Sequence, residues 1–279
     1  MKGPPGTQEQ QSRPRSVLIC HHDAPIHIDG ITRWLQSWSD LGGVVIVREP
    51  GTVSARRLRR EWRRVGTLRL LDVLAMRLYY RLRWARRDAA WLKSQTDRLI
   101  SRYAGNRADV RRLEVSSPNS RESQAFMESS RPDFTVALCK TILAERTFLI
   151  PRHGTFVMHP GICPEYRNAH GCFWALASND PDHVGLSLIR IDRGIDTGPV
   201  FGYFRAGFDE WHDSHVRIQH RVLLENLDAI AQRLTAAVSG TIPPIDTTGR
   251  ASREWGQPWL TALWRWKLRA WRGRARNRA

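Results

Sequence analysis

The stretch TFVMHPGICPEYR, residues 155–167, holds the strongest candidate for chemistry in this sequence. Its apolar run ends at His159, and the proline and glycine that follow prevent regular structure from continuing. A histidine placed there can polarise a carbonyl group or move a proton near neutral pH. It needs a carboxylate to fix its tautomer, and IRIDRGIDTGPV supplies Asp196 in a glycine-flanked turn after another apolar run. The two residues therefore form a candidate acid–base pair.

Hydrophobic patterning predicts the elements that must position this pair. Apolar and β-branched runs predict strands, and helical spacing predicts a helix after residue 31 that ends at Gly42-Gly43. Strands that alternate with helices indicate an α/β fold of Rossmann-like type, with an open, mostly parallel sheet and helices on both faces. Ligands bind such sheets at the carboxyl ends of the strands, where both residues of the pair would lie. The predicted strands are 16–20, 44–47, 113–116, 134–139, 155–159, 184–191 and 199–204, and the further helices are 120–130, 170–178 and 213–238.

The residue pattern of these segments resembles that of one enzyme family. FVMHPGICPEYRNAHGCFWALA and the later GIDTGPV resemble the formyltransferases that use 10-formyltetrahydrofolate, which act on glycinamide ribonucleotide, methionyl-tRNA or amino sugars. That family has the pattern Asn-x-His-Pro-Ser-x-x-Pro-x-Tyr-Arg-Gly, then an Asp-Thr-Gly-Pro or Asp-Gly-Gly-Pro turn. RPDFTVALCKTIL is similar to its Pro-Asp strand and folate loop. The resemblance covers about residues 130–205, more loosely from 16, and implies formyl transfer to an amine with 10-formyltetrahydrofolate as co-substrate.

The resemblance also implies a role for each matching residue. His159 corresponds to the family's catalytic histidine, which supports the developing oxyanion, and Asp196 to the aspartate that sets its protonation and assists proton removal. Two loops correspond to the walls of the folate pocket: Lys140, Thr141, Ile142 and Leu143 in one, and Ile191, Asp192 and Ile195 in the other. The acceptor side would be formed by His21, His22 and Asp23, after the first strand, and by Tyr166, Arg167 and His170. A polar loop without a ligand is the alternative for the first three.

One departure from the family pattern concerns catalysis. The family's asparagine, a hydrogen-bond donor to the formyl oxygen, lies two residues before the histidine, and this position is Val157. Loss of one such donor typically costs about 10² to 10³ in rate. Asn168 is a candidate replacement donor, and a simple turn residue is its alternative interpretation. A catalytically weakened folate-fold protein that binds at a membrane or RNA surface is therefore the second hypothesis, and hydrolysis of the formyl donor is a third.

The acceptor itself is not fixed by the sequence. An amino sugar on a nucleotide or lipid carrier fits best, because the chain after residue 240 is too short for the C-terminal β domain of the tRNA enzymes. Glycinamide ribonucleotide is disfavoured, because the first loop lacks the glycine-rich phosphate site. His212, His215 and His220 complete no recognised ligand pattern, so no metal is predicted.

Two basic segments account for much of the net charge of +17. The insertion 54–104 has twelve arginines between Arg56 and Arg87, and the C-terminal tail pairs arginines with tryptophans. An anionic membrane surface contacted through 54–104 and 255–278 is the favoured partner, and nucleic acid is the second. A helix pair packed on the sheet, and a tail packed on its own domain or in a homodimer, are the alternatives. The apolar stripes are Leu58, Trp62, Val65, Leu68, Leu71, Leu74, Leu78 and Leu82 in the insertion, and Leu260, Trp264, Leu268 and Trp271 in the tail.

The sequence thus predicts a disordered segment 1–15, a catalytic domain 16–240 with its insertion, and a basic tail 241–279. The four cysteines, Cys20, Cys139, Cys163 and Cys172, form no CxxC pair and are predicted to be free thiols in a reducing cytosol. No secretory signal and no apolar window of about 18 residues is present. We therefore expect a cytoplasmic protein, with peripheral association at the inner membrane as the alternative.

Overall fold

The computed structural model describes residues 13–105 and 109–276, so nearly all of the predicted disordered segment lies outside the described residues. A seven-stranded sheet forms the centre of the molecule, in the order β3-β2-β1-β4-β5-β7-β8. A separate two-stranded bridge joins β6 to β9. The strands are β1 (Arg15–His21), β2 (Asp40–Val47), β3 (Arg112–Val115), β4 (Phe134–Leu138), β5 (Thr155–His159), β6 (Arg167–Asn168), β7 (Leu186–Arg190), β8 (Val200–Phe204) and β9 (Glu254–Trp255).

Five neighbouring strands, β1 to β5, run parallel, and β7 and β8 continue the sheet in antiparallel pairing. The strands from β1 to β5 are connected mainly by helices, as parallel neighbours require. The helices are α1 (Thr32–Trp38), α2 (Gly51–Arg83), α3 (Ala85–Arg102), α4 (Arg121–Ser130), α5 (Glu145–Phe148), α6 (Gly171–Ala177), α7 (His215–Glu225), α8 (Leu227–Val238) and α9 (Leu260–Arg276). The predicted Rossmann-like, mostly parallel α/β class is confirmed.

Helices cover both faces of the sheet, as the side chains of β1 illustrate. Leu18 points to one face, where it belongs to a buried cluster with Trp34 of α1 and Ile230 of α8. Ile19 points to the other face, in a cluster with Met127 of α4. Because successive residues of a strand alternate between faces, a continuous apolar run is what a strand buried on both sides requires.

Two predicted boundaries are wrong. Gly42-Gly43 does not end the first helix, because α1 already ends at Trp38 and both glycines lie inside β2. Glycine is needed there for packing: a Cβ on Gly43 would lie 2.5 Å from the ring of Phe126. The predicted helix 213–238 is two helices that meet at Asn226, whose φ of −111° departs from helical geometry.

The insertion docks on the α/β core through a buried carboxylate. Asp88 of α3 is 2 % exposed, and its Oδ2 accepts hydrogen bonds from the hydroxyls of Ser214 and Tyr80. Its other oxygen lies 3.7 Å from the guanidinium of Arg217. Burial and this carboxylate raise the pKa of the Tyr80 hydroxyl above its usual range. The pair α2–α3 is thus anchored to α7, although α2 is itself broken at Gly66, where φ is +76°.

The C-terminal segment packs on the domain rather than extending from it as a tail. Leu263 and Trp266 of α9 are 0 % and 1 % exposed and belong to a cluster with Phe173 and Trp174 of α6. The indole N–H of Trp266 donates to Glu210 at 2.8 Å. The boundary at residue 240 therefore does not mark a break in packing.

Candidate active site

His159 and Asp196 meet at the carboxyl edge of the sheet. Nδ1 of His159 lies 3.3 Å from Oδ2 of Asp196, and its Nε2 lies 2.8 Å from the carbonyl oxygen of Tyr166. A carbonyl oxygen can only accept, so Nε2 carries a proton in this contact. An imidazolium ring satisfies both contacts, whereas a neutral ring satisfies one. The His159 side chain is 4 % exposed and that of Asp196 is 17 % exposed, so the carboxylate is the member of the pair that reaches the surface.

The loop after His159 has glycines because two backbone segments touch there. A Cβ on Gly171, at the start of α6, would lie 2.5 Å from the Cα of Gly161. A Cβ on Gly161 would lie 2.6 Å from the carbonyl oxygen of Tyr166. This is the oxygen that accepts the hydrogen bond from Nε2 of His159. Ser187 of β7 holds the loop from below, since its hydroxyl donates to the Gly161 carbonyl at 2.7 Å. The turn thus fixes the imidazole by close packing.

Asn168 supports the aspartate through its backbone. Its N–H donates to Oδ2 of Asp196 at 2.8 Å, and its φ of +75° suits a residue type that tolerates left-handed geometry. Its side-chain amide donates to Glu254 at 3.0 Å and to the Trp255 carbonyl at 2.7 Å. Both amide hydrogens are therefore used, which leaves none for a formyl oxygen. To donate to a formyl oxygen, Asn168 would have to exchange one of these two contacts, and its part as a replacement donor stays a prediction.

The site has a wall that the sequence did not reveal. The bridge between β6 and β9 pairs Arg167 with Glu254 and Asn168 with Trp255. Arg167 is held by the hydroxyl of Ser252 at 3.0 Å and by the carbonyl of Ile195 at 2.8 Å. Arg167 and Asn168 belong to the family-like segment, but no recognised motif marks Ser252, Glu254 or Trp255. Pairing between two-residue strands whose partners are 87 residues apart leaves no pattern in sequence.

Asp196 opens into a small cleft of about 70 Å³. Arg167 and Thr197 line it together with residues contributed by the C-terminal segment, Thr247 and Ser252. The cleft places a guanidinium beside a carboxylate at the surface. It has room for a small polar group, such as an amine, and none for a fused ring system.

Tyr166 and His170, both predicted to bind the acceptor, are packed inward. The Tyr166 hydroxyl donates to Asp180 at 2.7 Å, and its ring stacks on Trp255 with centroids 5.7 Å apart. Burial, followed by the charge of Arg77, lowers the pKa of His170 to about 4. Its ring packs against that of His215, with centroids 5.6 Å apart. Tyr166 is thus buried, whereas His170 is only partly buried, and the expected part of both residues in acceptor binding stays a prediction.

The first loop contacts the predicted folate loop. His21 is 6 % exposed, and its Nε2 accepts the backbone N–H of Lys140 at 2.8 Å. Burial and the Lys140 charge lower the pKa of His21, in keeping with this acceptor role. Burial alone would raise the pKa of Asp23, but Lys140, whose Nζ lies 3.5 Å away, lowers it. The His22 ring makes a long contact of 3.4 Å to the Val47 carbonyl, which also accepts the His22 backbone N–H at 3.1 Å. His21 and Asp23 thus hold the loop that begins at Lys140.

The two loops predicted to bind folate lie side by side. Glu145, just after the first loop, pairs with Arg193 of the second at 2.7 Å. Asn119 was not foreseen: its side chain bonds the Ile142 carbonyl and the Ala144 N–H at 2.9 and 2.8 Å. Leu143 is buried beneath this loop, and Ile142 is exposed.

Within the second loop, Asp192 accepts bonds from the Gly194 N–H and the Thr197 hydroxyl, which shape the turn. Its neighbour Ile191 packs, partly buried, against the cluster beneath the first loop. The carboxylate of Asp192 is thus engaged in its own turn, and its expected part in folate binding stays a prediction.

A larger cleft of about 290 Å³ lies at the carboxyl ends of β2, β3 and β4. Its lining combines basic groups, one carboxylate, hydroxyls and an exposed apolar side chain. The residues are Glu49, Arg60, Ser116, Ser117, Lys140, Thr141 and Ile142. The hydroxyl of Thr141 donates to the carboxylate of Glu49. This volume is close to the lower end of the range typical of small-molecule sites.

Val157 provides no hydrogen-bond donor beside His159. Both residues point to the same face of β5, and Val157 packs against an apolar cluster of Cys163, Ile189 and Val200. Burial raises the pKa of the Cys163 thiol above its usual range, so it stays protonated. Within residues 13–105 and 109–276, no group of three or more His, Cys, Asp or Glu side chains is arranged to hold a metal ion.

Fold and site together define a class: an α/β protein of Rossmann type with an imidazole–carboxylate pair at the carboxyl edge of its sheet. No family model matches the chain. Its sequence is similar to methionyl-tRNA formyltransferases, with 37 % identity over 81 residues to that of Dehalococcoides mccartyi and 31 % over 111 residues to that of Thermus thermophilus. These segments cover 29 % and 38 % of this chain but only 26 % and 35 % of those relatives.

Solved structures share the fold at low identity. A sugar N-formyltransferase from a Shewanella species matches 92 % of this chain and 87 % of its own, with a TM-score of 0.51 and 14 % identity. The phosphoribosylglycinamide formyltransferase of Anaplasma phagocytophilum matches 88 % of this chain and all of its own, with a TM-score of 0.53 and 11 % identity. The chain is thus similar in sequence, over part of its length, to formyltransferases, and it shares its fold with solved members of that group. The roles of the individual site residues remain predictions.

Proposed function

We propose that this protein transfers a formyl group from 10-formyltetrahydrofolate to the amine of a small acceptor. The observation that carries the proposal is the His159–Asp196 pair, joined at 3.3 Å beside a cleft that accepts a small polar group. In the reaction the acceptor nitrogen bonds to the formyl carbon, the bond from that carbon to the donor nitrogen breaks, the acceptor nitrogen loses a proton and the donor nitrogen gains one. Tetrahydrofolate and a formamide are the products.

In this proposal Asp196 takes the proton of the acceptor amine, because it is the exposed member of the pair. His159 stabilises the negative charge that develops on the formyl oxygen and holds the carboxylate in place. For His159 to reach that oxygen directly, Nε2 must leave the Tyr166 carbonyl, so the loop 160–166 has to shift on binding. Apo geometry of catalytic groups commonly tightens in this way when substrate binds.

The described residues fit a folate donor on chemical grounds. A folate combines a flat ring system with a negatively charged glutamate end. The 290 Å³ cleft offers Ile142 for apolar contact and the basic groups Lys140 and Arg60 for carboxylates. The donor would supply an activated formyl group there, and the chain's own part is to bind and orient it.

An amino sugar on a nucleotide or lipid carrier is the acceptor class we favour. The cleft at Asp196 sets Arg167 beside the carboxylate, so a neutral sugar amine and an anionic carrier phosphate could both be accommodated. The fold similarity to a sugar N-formyltransferase is compatible with this choice, and the acceptor remains part of the proposal.

The test is a direct transfer assay. Purified protein is incubated with 10-formyltetrahydrofolate, a panel of amino-sugar nucleotides and a control without acceptor, and both free tetrahydrofolate and acceptor mass are followed. We expect release that depends on an acceptor gaining one formyl group. Release without acceptor would replace transfer by hydrolysis of the donor. Absence of donor binding would reduce the family relationship to one of fold.

A second function is favoured by two observations, the apolar Val157 and the double use of the His159 nitrogens. Under this hypothesis the protein binds the folate without transferring its formyl group. The same assay separates the two, because a binding protein retains formylated donor through repeated incubation with every acceptor. Calorimetric titration with the donor would then still give a binding isotherm.

A further inference from the structure

The insertion carries an apolar stripe that faces away from the protein. Leu68 and Leu82 are 85 % and 78 % exposed, and Leu71, Leu74 and Leu78 complete a row at spacings of three and four residues. The packed side of α2 is opposite: Val73 and Met76 are buried, and Asp72 bonds to α9. The stripe runs about 21 Å along the helix at 1.5 Å per residue. The alternative in which these leucines pack on the sheet is therefore wrong for the five described leucines.

A second stripe lies on α9. Its inner side, at Leu263 and Trp266, is buried, and its outer side consists of Trp264, Leu268 and Trp271. These three are each about half exposed, at 55 %, 47 % and 54 %. Single exposed apolar residues are ordinary, but eight large ones in two helical rows require a partner.

The two stripes belong to one body, because α9 begins against the middle of α2. The backbone N–H of Thr261 donates to Asp72 at 3.0 Å, and the guanidinium of Arg69 lies 3.7 Å above the ring of Trp259. Neither helix can move away without breaking these contacts. These contacts fix the position of α9 against α2.

Arginines border both stripes. Arg77 and Arg81, four residues apart, flank the leucine row on α2, and Arg265 and Arg272, seven residues apart, flank the tryptophan row on α9. All four are exposed, and Arg81, Arg265 and Arg272 pair with no carboxylate in the described part of the chain. Arginine stems can lie along apolar surface while their charged ends reach outward.

From this arrangement we propose that the outer faces of α2 and α9 dock on an anionic phospholipid bilayer. Leucine and tryptophan enter the interfacial region, where tryptophan is favoured, and the flanking arginines meet the phosphate groups. No helix in the described ranges is long and apolar enough to cross a membrane, so the contact lies in the plane of the surface. The proposal does not depend on the transfer reaction.

Two other partners fit the same surface less well. Nucleic acid binding uses positive charge and aromatic stacking, and five exposed leucines contribute to neither. A second copy of this chain would bring together two proteins with a net charge of +17 each, arginine row against arginine row. Anionic lipid alone uses the charge and the apolar side chains at once.

The docking helix is also close to the candidate site. Trp255, paired with Asn168, is followed by Gly256, where the guanidinium of Arg64 from α2 fills the space that a Cβ would occupy. The next residue, Gln257, accepts a bond from Arg77 at 3.4 Å. Docking would thus hold the site beside the lipid surface, which suits an acceptor on a lipid carrier; this consequence rests on the proposed function.

Co-sedimentation of the full chain with vesicles tests the proposal, without donor or acceptor, so that its failure leaves the transfer assay untouched. We expect binding to mixed phosphatidylcholine–phosphatidylglycerol vesicles and little binding to phosphatidylcholine alone. The double variant Leu71→Ser/Leu78→Ser, and separately Trp264→Ser/Trp271→Ser, should each weaken partitioning about tenfold or more. Leu149→Ser, at a position 61 % exposed elsewhere, is the matched control and should bind as the parent does.

The contribution of charge is tested with the double variant Arg81→Gln/Arg265→Gln, whose binding to the anionic vesicles should weaken about fivefold for each arginine removed. Arg98→Gln, on the exposed side of α3, is the control. Equal binding to both vesicle types, or loss of binding in Leu149→Ser, would overturn the proposal. The proposal would also be overturned if the parent bound a single-stranded RNA more tightly than it binds the anionic vesicles, and if the serine variants kept that RNA binding. A parent dimer that light scattering shows becoming monomeric in the leucine variant would assign the stripe to self-association instead.

Discussion

Nδ1 of His159 lies 3.3 Å from Oδ2 of Asp196, although the two residues are separated by the loop after β5, helix α6 and strand β7. The contact depends on Asp196 adopting φ of +51°, in the left-handed region that is uncommon for residues other than glycine. A main-chain N–H from β6 holds the same oxygen at 2.8 Å. The aspartate is thus oriented by backbone on one side and imidazole on the other.

Removal of the carboxylate charge should abolish most of the transfer. For Asp196→Asn we expect a fall in kcat of about 10² to 10⁴, because the variant keeps the shape but cannot accept the amine proton. Steady-state formylation with the acceptor identified in the panel measures this, and circular dichroism confirms the fold. Asp182→Asn, an exposed carboxylate, is the control. A decrease of only a few-fold in Asp196→Asn would exclude it as the base.

Restoring the family's donor should raise the rate. Val157→Asn adds an amide two residues before His159, and one such donor is worth about 10² to 10³ in rate. Single-turnover formyl transfer is the measurement, and Val157→Ala, which loses the packing on Cys163 and Ile189 without gaining a donor, is the control. An unchanged rate in a protein that already turns over would mean that another group supplies the hydrogen bond.

The packing of α9 predicts unequal effects of two neighbouring tryptophans on stability. Trp266→Ala should lower the free energy of unfolding by about 3 to 5 kcal/mol, as expected for a large buried side chain. Trp264→Ala, at the half-exposed position, should change it by less than about 0.5 kcal/mol. Urea unfolding followed by circular dichroism measures both. If both variants changed the free energy of unfolding equally and by little, the segment 241–279 would be an independent tail.

His27, which is partly buried and has a fully buried Nδ1, should make the free energy of unfolding depend on pH. Burial, followed by the charge of His220, lowers its pKa from 6.5 to about 3 in the folded protein, so the folded ring stays neutral while the unfolded one takes up a proton. Stability contributed in this way is complete above pH 6.5 and is lost as the pH falls toward 3, at up to about 1.4 kcal/mol per pH unit.

Urea unfolding between pH 7 and 4.5 tests this dependence. His27→Gln should have a shallower decline than the parent, because one proton fewer is taken up on unfolding. His153→Gln, outside the buried histidine cluster, is the control and should follow the parent curve. Parallel curves for the parent and His27→Gln would show that this ring is protonated in the folded state.

The sheet could be predicted because its signals are local. Runs such as SVLIC and FTVALC are apolar on both faces, which a buried parallel strand requires, and each becomes a strand. The end of the first helix was missed because Gly42-Gly43, an ordinary stop signal, serves here to admit the Phe126 ring and Ser130 beside β2. The break at Asn226 was missed because apolar spacing continues on both sides of it.

The pair itself was predicted from the resemblance, but the contacts around it were not. The two hydrogen bonds that the Asn168 side-chain amide donates, to Glu254 and to Trp255, depend on a chain segment 86 and 87 residues away. The outward direction of the leucine stripe was equally hidden, because an apolar row at helical spacing reads the same whether it faces a core or lipid. Sequence patterns predict that a helix has an apolar side, but tertiary packing determines whether that side faces the protein or the outside.

The bridge between β6 and β9 has a consequence for the order in which the protein is made. The segment with His159 and Asp196 leaves the ribosome well before residues 250–255, so the sheet can form while one side of the site is still open. The contacts that Arg167 and Asn168 make with Ser252 and Trp255 form only after those later residues have been synthesised, whereas the Ile195 carbonyl and the Asp196 carboxylate are present earlier. A nascent chain therefore contains both members of the candidate pair before it contains the residues of β9 that complete the wall of the candidate site.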